Sequence, residues 1–187
     1  MKQSLASAER VVEEVKRSIA ESLRINPQSI TPEKSLVQDL GAESLDFLDI
    51  NYRLEHAFGI RMARQLVLEH VEEMFGEGSA VDESGRLTEK GAKLLKIRWG
   101  DHSSNIRSGM ELDQVTALIT VQTMARGVMD ILDTLPETCP ACAAAIWQSQ
   151  NGTRISCGAC RKDAPFTNGD DLIRQWLTNV QQDKNIF

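Results

Sequence analysis

Ser44 and four cysteines are the residues of this sequence whose types and spacing suggest chemistry. Ser44 lies in the stretch DLGAESLDFLDI, residues 39–50, among Asp39, Glu43, Asp46 and Asp49. A catalytic serine needs a base such as histidine or lysine beside it, and this stretch contains neither. The pattern therefore favours two other roles for the hydroxyl at a helix start, which are to cap the helix or to carry a phosphate ester.

The four cysteines form two CxxC pairs separated by fourteen residues: Cys139, Cys142, Cys157 and Cys160. Between the pairs, Asn151-Gly152 joins the extended runs AAAIW and TRIS, and an Asn-Gly step in this position is a strong signal of a β-hairpin. Two CxxC turns joined by a hairpin supply the four soft ligands that Zn²⁺ prefers. The pattern predicts a zinc ribbon with a structural metal, since four thiolates leave no open position. Two redox-active CxxC pairs are the alternative.

The three histidines make no metal-ligand spacing with one another. They are His56, His70 and His102. His56 falls on a predicted helix, where a solvated side chain is expected. His56 is therefore expected to be a solvated residue and not a catalytic base.

Composition limits the classes of protein to which the chain can belong. Of 187 residues, 41% are hydrophobic, and 21 basic against 27 acidic residues give a net charge of −6. Phosphate binding needs clustered Lys and Arg, so this balance argues against a nucleic-acid partner. No apolar run approaches the roughly 20 residues of a membrane span, and the N-terminal segment MKQSLASAERVVEEVKR lacks the features of a signal peptide. We expect a cytoplasmic protein, in which reduced cysteines favour metal binding over disulfides.

Apolar periodicity predicts a mainly helical protein. Helices are expected over 5–23, 44–58, 62–75, 88–97, 121–135 and 170–181, with a short helical turn at 113–118. The long loop at 25–43 contains Ile30, Leu36 and Leu40, which are spaced as side chains that cover a core. Thr88 is the expected N-cap of the helix that follows it, and Asn168 or Asp170 is the expected cap of the last helix.

The helix over 44–58 carries two apolar stripes. The first stripe has spacings of 3, 4 and 4: Phe47, Ile50, Leu54 and Phe58. The second has spacings of 3 and 4: Leu45, Leu48 and Tyr52. A helix on a small bundle needs one buried stripe. The second stripe indicates either a more deeply buried helix or a surface that meets a partner protein or a bound chain.

The segment SLVQDLGAESLDFLDINYRLEHAFGI resembles the modification site of acyl carrier proteins. In that family the pattern is close to D-L-G-x-D-S-L-D, before an amphipathic helix that ends in F-G-I. The matching residues are Asp39, Leu40, Gly41, Ser44, Leu45, Asp46, Phe58 and Gly59. Glu43 stands where the family usually has Asp. The first helix, the long loop and the closing helix in ITVQTMARGVMDIL extend the similarity, and FLDI is similar to specialised carriers used outside bulk fatty-acid synthesis.

The resemblance implies a mainly α fold with an acyl-carrier-like four-helix bundle over residues 1–136. Residues 60–112 are an insertion with inserted helices. We expect the insertion to pack on the bundle and its loops at 76–87 and 99–111 to be mobile. Residues 137–187 are expected to form a second domain, made of the zinc-ribbon β-hairpin and a C-terminal helix.

The resemblance also implies that Ser44 carries 4′-phosphopantetheine, whose thiol holds an acyl group as a thioester for lipid or specialised fatty-acid synthesis. Such a protein is a monomeric carrier rather than an enzyme. Its partners are a phosphopantetheinyl transferase and acyl-processing enzymes such as a ligase, a ketosynthase or an acyltransferase. The residues expected to recognise them are Glu43, Leu45, Asp46, Leu48, Asp49 and Tyr52.

Two other functions fit the same residues. A peptidyl or polyketide carrier has the same chemistry with a different cargo. A zinc-ribbon regulatory or adaptor protein has an unmodified helical part, and modification of Ser44 separates it from both kinds of carrier.

Overall fold

The structure, a computed structural model, describes residues 3, 5–100, 105–150, 152 and 154–187. His102 and Asn151, which the sequence analysis singled out, lie outside these residues. The described α-helices are α1 (Ala8–Leu23), α2 (Ser44–Phe58), α3 (Val67–Phe75), α4 (Glu89–Trp99), α5 (Leu112–Thr116), α6 (Val121–Leu132) and α7 (Gly169–Lys184). The strands are β1 (Trp147–Gln150) and β2 (Arg154–Cys157), and Pro27–Ser29 forms one 3₁₀ turn. None of these helices is long and apolar enough to cross a membrane.

The chain divides into two compact units. The first unit comprises residues 1–62 and 119–169, and the second comprises 63–118 and 170–187. This differs from the expected division at 136/137. The ribbon belongs with the first unit, whereas α7 belongs with the inserted segment because Leu177 and Val180 lie in the core of the second unit. Helix α5, which corresponds to the short helical turn predicted at 113–118, also lies in the second unit, where Val115 is buried.

Helix α1 forms the centre of the first unit, because it contacts both α2 and α6. Its residues Val11, Val15 and Ile19 are spaced by four residues, lie on one face of the helix and are fully buried. Ser7 caps its N-terminus by accepting the N–H of Arg10 at 3.3 Å. The helix ends at Arg24, which adopts a left-handed conformation (φ 56°).

The ribbon hairpin is antiparallel and pairs Trp147 with Cys157. Its first strand begins at Trp147 and therefore overlaps the predicted strand AAAIW, residues 143–147, only at that residue. Ala143 adopts a left-handed conformation (φ 59°), and the N–H of Cys139 bonds to the carbonyl oxygen of Ala144 at 2.9 Å. The alanines therefore form the turn around the first cysteine pair instead of a strand. Trp147 is buried and donates its indole N–H to the carbonyl oxygen of Pro136 at 2.7 Å.

The second unit has a core of its own, built from α3, α4, α5 and α7. Its fully buried side chains include Val71, Leu94 and Leu95. Thr88 caps α4 by accepting the N–H of Gly91 at 3.0 Å, as predicted. Of the apolar positions in 62–75 and 88–97, Leu68 and Leu94 are also buried in this core, whereas Leu66 and Ile97 are exposed. Packing of the insertion on the bundle stays a prediction.

Asp170 changes two expectations for the second unit, which are the start of the helix predicted over 62–75 and the cap of α7. Its carboxylate accepts the backbone N–H of Arg64 at 2.9 Å and that of Gln65 at 3.3 Å. These bonds hold the segment before α3 in a non-helical conformation, so the helix predicted over 62–75 begins only at Val67. Asp170 stands in the first turn of α7, but its carboxylate is directed to these bonds instead of capping that helix.

Candidate functional site

The loop before Ser44 is fixed by backbone bonds within the first unit. Leu36 is fully buried, and its carbonyl oxygen accepts the N–H of Ala42 at 2.8 Å. Between them the carboxylate of Asp39 accepts the N–H of Ser35 at 2.8 Å. Gly41 turns the chain with a φ of 71°, a conformation that glycine adopts without steric cost. The DLG part of the motif therefore builds a closed turn that leads directly into α2.

The same loop is tied to the start of α6. Leu36 donates its N–H to the carbonyl oxygen of Ile119 at 2.9 Å, and Val121 donates to Lys34 at 3.1 Å. Of the three expected core-covering residues, Ile30 and Leu36 are buried, whereas Leu40 is half-buried. The loop that presents Ser44 is thus held by the core and by the closing helix.

Ser44 is the first residue of α2 and is exposed. The N-cap is Glu43, and Asp46 accepts the N–H of Glu43 at 2.8 Å. Within the described part of the chain, the Ser44 hydroxyl makes no hydrogen bond. Because this serine is not the cap, the commonest role of a serine at a helix start does not account for it.

The outer stripe of α2 faces solvent. Leu45, Leu48 and Tyr52 expose 78%, 53% and 58% of their surface, while Ile50 and Leu54 of the inner stripe are fully buried. The alternative of a more deeply buried helix is therefore wrong. Three large apolar side chains on one exposed face are typical of an interaction surface.

The acidic residues around Ser44 differ in their surroundings. Asp49 accepts a hydrogen bond from Arg53 at 2.8 Å, and Arg53 also pairs with Glu21 of α1. This bond lowers the pKa of Asp49 and partly offsets its charge. Glu43 is exposed and Asp46 half-buried, and neither carboxylate forms an ion pair with a described residue. The free negative charge is concentrated at the N-terminal end of α2.

The four cysteine sulfurs come together at the base of the ribbon hairpin. The Sγ atoms of Cys139 and Cys160 lie 3.7 Å apart, and those of Cys142 and Cys157 lie 3.6 Å apart. All four sulfurs lie within 4.8 Å of one another, and no disulfide joins them. Both short contacts join one CxxC pair to the other, so the two pairs form a single cluster.

This cluster fits a tetrahedral metal ion. Zn–S bonds of about 2.3 Å in a tetrahedron place the sulfurs about 3.8 Å apart, close to the two short contacts. Cys139 and Cys157 are buried, and Cys142 and Cys160 are exposed, which lets an ion enter from one side. The arrangement is that of a zinc ribbon, with no position left for a substrate.

Backbone N–H groups around the cluster favour thiolate at one cysteine. A hydrogen bond from the N–H of Cys160, followed by one from Ala159, lowers the pKa of Cys157 to about 6. At Cys142 the N–H of Ala144 lowers the pKa, but hydrogen bonds with the Cys160 and Cys157 thiols raise it to about 12 overall. Hydrogen bonds to ligand atoms orient metal ligands and tune their affinity.

Sequence reasoning missed the contact between the ribbon and α2. A methyl group at Gly152 would lie 2.1 Å from the carbonyl oxygen of His56, and one at Gly59 would lie 2.8 Å from the carbonyl carbon of Arg154. The hairpin therefore rests on the C-terminal end of α2, within the first unit. The sequence predicted Gly59 only as the end of a helix and Gly152 only as part of a hairpin turn.

The two described histidines, His56 and His70, do not form a site with the cysteines or with Ser44. His56 is exposed, and its ring lies 4.8 Å from that of Tyr52 at an interplanar angle of 59°. His70 is fully buried in the second unit and its Nε2 lies 3.0 Å from the carboxylate of Asp170. No spacing in the sequence indicated this pair, since its members are 100 residues apart.

Comparison with known proteins matches the segment that contains Ser44 to carrier proteins. A family model described as "Phosphopantetheine attachment site" matches residues 13–71. The "Acyl carrier protein AcpXL" of Brucella melitensis is 44% identical over 55 residues, which are 29% of this chain and 59% of that protein. The acyl carrier protein of Thermotoga maritima is 38% identical over 58 residues, which are 31% of this chain and 72% of that protein. No solved structure gives a significant match.

This chain belongs to the acyl carrier protein family. The family model covers most of α1, the loop, α2 and the start of the inserted segment. The chain spans about three-fifths of the length of the first relatives. The ribbon lies outside it.

Proposed function

We propose that this protein is an acyl carrier in which Ser44 bears 4′-phosphopantetheine and the terminal thiol of that group holds an acyl chain as a thioester. One observation supports this most directly. The Ser44 hydroxyl is exposed and has no partner among the described residues, and it lies at the first position of α2 within the segment that matches the attachment-site model. The carrier performs no reaction of its own, and the chemistry belongs to its partners.

The transfer that loads the carrier is a displacement at phosphorus. The Ser44 oxygen forms a bond to the phosphorus next to pantetheine in coenzyme A, and the bond from that phosphorus to the bridging oxygen breaks. Adenosine 3′,5′-bisphosphate leaves, and the serine proton passes to a base of the transferase. A phosphodiester at this position is stabilised by the N-terminal dipole of α2.

The outer face of α2 is the proposed recognition surface. Leu45, Leu48 and Tyr52 offer apolar area, and the acids Glu43, Asp46 and Asp49 surround it. Such a surface suits a partner with a basic rim and an apolar pocket, because opposite charges steer the encounter while apolar contacts hold it. We assign to it the phosphopantetheinyl transferase and acyl-processing enzymes such as a ligase, a ketosynthase or an acyltransferase.

The cargo is proposed to be an acyl chain for lipid or specialised fatty-acid synthesis. The two relatives named above are both described as acyl carrier proteins, which favours an acyl cargo over a peptidyl or polyketide one. The free cysteines of the cluster support a cytoplasmic location, where thiols remain reduced.

The cysteine cluster is proposed to hold one structural Zn²⁺. Its support is the pair of sulfur contacts at 3.7 and 3.6 Å, each between the two CxxC pairs. When bound, the metal links the two turns of the ribbon. Cys139, Cys142, Cys157 and Cys160 all act as ligands, so the site is closed to substrate.

Mass spectrometry of the intact protein tests the carrier function. The full chain is incubated with coenzyme A and a broad-specificity transferase, and the gain of one phosphopantetheine is expected. Ser44→Ala should gain none, whereas Ser108→Ala, at another exposed serine, should gain one. Wild-type protein that stays unmodified both in this assay and in its native host would reject the carrier in favour of the adaptor function.

A further inference from the structure

The ribbon hairpin and the C-terminal end of α2 approach each other at two glycines. The Cα of Gly152 faces the last turn of α2 so closely that an added methyl would meet the carbonyl oxygen of His56 at 2.1 Å. Gly59, which ends α2 with a φ of 74°, faces the backbone of Arg154 and the Ser149 hydroxyl in the same way. Two reciprocal backbone contacts of this kind are specific to one docking geometry.

The contact is connected to the cysteine cluster by a single short strand. Arg154 begins β2 and Cys157 ends it, a separation of three residues or about 10 Å. The residues between them are fixed, since Ile155 and Ser156 are buried. Ile155 also accepts the N–H of Ala164 at 2.9 Å. A rigid element thus joins the cluster to α2.

We propose that the ribbon is a metal-dependent clamp on α2, which is the helix that carries Ser44. When the four thiolates share a metal, they fix Cys157 and therefore the register and position of β2. The strand then holds the last turn of α2 through Gly59 and Arg154. Without the metal, the four cysteines no longer constrain β2, and the last turn of α2 loses this contact.

The competing expectation is that α2 needs no clamp. Its inner stripe is buried, and the carboxylate of Glu55, itself 4% exposed, accepts the N–H of Met62 at 2.9 Å just beyond the helix end. If these contacts alone define α2, metal removal loosens the ribbon and leaves the helix unchanged. The two expectations differ in one measurable quantity, which is the protection of the amides at the end of α2.

Hydrogen exchange of the full-length protein, with and without a zinc chelator, measures this quantity. We expect removal of zinc to speed amide exchange at residues 55–60 by about 5-fold to 150-fold, the usual range for coupled sites. Amides of α1 in the first unit and of α4 in the second should keep their rates. Faster exchange at 147–157 with unchanged exchange at 55–60 would overturn the clamp.

Glycine variants distinguish the effect of the close contact between Gly152 and α2 from the effect of backbone strain at a positive φ. Gly152→Ala in the zinc-bound protein should speed exchange at 55–60 and weaken zinc affinity by a similar factor, because coupling between two sites is reciprocal. Gly85→Ala is the matched control. Gly85 has a φ of 76°, close to the 66° of Gly152, but no atom lies within 4 Å of a methyl group added to Gly85. Wild-type exchange and zinc affinity in Gly152→Ala would also overturn the clamp.

The consequence for Ser44 rests on the proposed carrier function. If the clamp acts on α2 as a whole, chelation should slow phosphopantetheine transfer to Ser44 in the full-length protein. The exchange and zinc measurements need no modification of Ser44. They therefore test the clamp separately, even if the carrier function fails.

Discussion

The carboxylate of Asp46 accepts the backbone N–H of Glu43 at 2.8 Å, so that Ser44 stands in a turn whose two sides are bonded to each other. This bond gives Asp46 a structural role in addition to its charge. A substitution at Asp46 therefore changes both the stability of the helix start and the attraction of a basic partner.

Two substitutions at Asp46 separate these roles. Asp46→Ala removes the bond and should lower the free energy of unfolding by about 0.5–2 kcal/mol. Asp46→Asn keeps an oxygen acceptor and should cost less. Both remove the charge, so both should slow the transferase reaction and reduce its dependence on salt. Denaturant unfolding and transfer rates at two salt concentrations measure these effects, and equal stability of the two variants would contradict the capping role.

Reversal of charge at both acids should have a larger effect on transfer. Asp46→Lys combined with Asp49→Lys should slow modification and flatten its salt dependence, because a basic partner is then repelled. Asp49→Lys also places a lysine beside Arg53, so Asp49→Ala is the control for the loss of their ion pair. A transfer rate in the double variant that matches wild type would show that these acids do not steer the enzyme.

The two stripes of α2 should respond in opposite ways to the same truncation. Leu54→Ala empties a buried site and should lower the free energy of unfolding by about 2–5 kcal/mol. Leu48→Ala lies on the exposed face and should change stability by less than about 0.5 kcal/mol, while it slows loading by the transferase. Thermal or denaturant unfolding together with transfer rates checks both. Normal loading of Leu48→Ala would remove Leu48 from the recognition surface.

One zinc ion per chain is expected in freshly purified, reduced protein. Cys157→Ser should abolish tight zinc binding and lower the melting temperature, since metal binding contributes directly to the folding of such sites. Lys162→Ser, at an exposed position of the same ribbon, should keep the metal. Elemental analysis and native mass spectrometry measure the content, and an absence of zinc in the wild type would reject the site.

Substitution of Asp170 is expected to destabilise the second unit. Asp170→Ala leaves the buried His70 and the N–H groups of Arg64 and Gln65 without their acceptor, at a cost of about 1–3 kcal/mol. Asp171→Ala alters a surface pair with Arg174 and should cost at most about 1 kcal/mol. Limited proteolysis provides the test. Asp170→Ala should be cut sooner within 62–75, and equal cutting of the two variants would contradict this role.

Local features of this protein were determined by its sequence alone. The start of α2 at Ser44 and its inner stripe follow from spacings of 3 and 4 residues, which any amphipathic helix must show. The cysteine cluster follows from two CxxC turns around a hairpin, because short connections leave the four thiols few other arrangements. The position of Ser44 in a carrier-like segment was equally plain, since that resemblance lies in contiguous residues.

Only the tertiary structure decided the features that depend on distant contacts. The sequence left the outer stripe of α2 open between burial and exposure, because periodicity shows that a face is apolar and not what covers it. The alanines before Trp147 had the composition of a strand, but the bonds around the first cysteine pair made them a turn. Three further features depend on residues about 100 positions apart in the sequence. They are the packing of α7 in the second unit, the hydrogen bonds of Asp170, and the approach of Gly152 to His56. Such contacts depend on how whole elements pack against one another, so the spacing of neighbouring residues does not predict them.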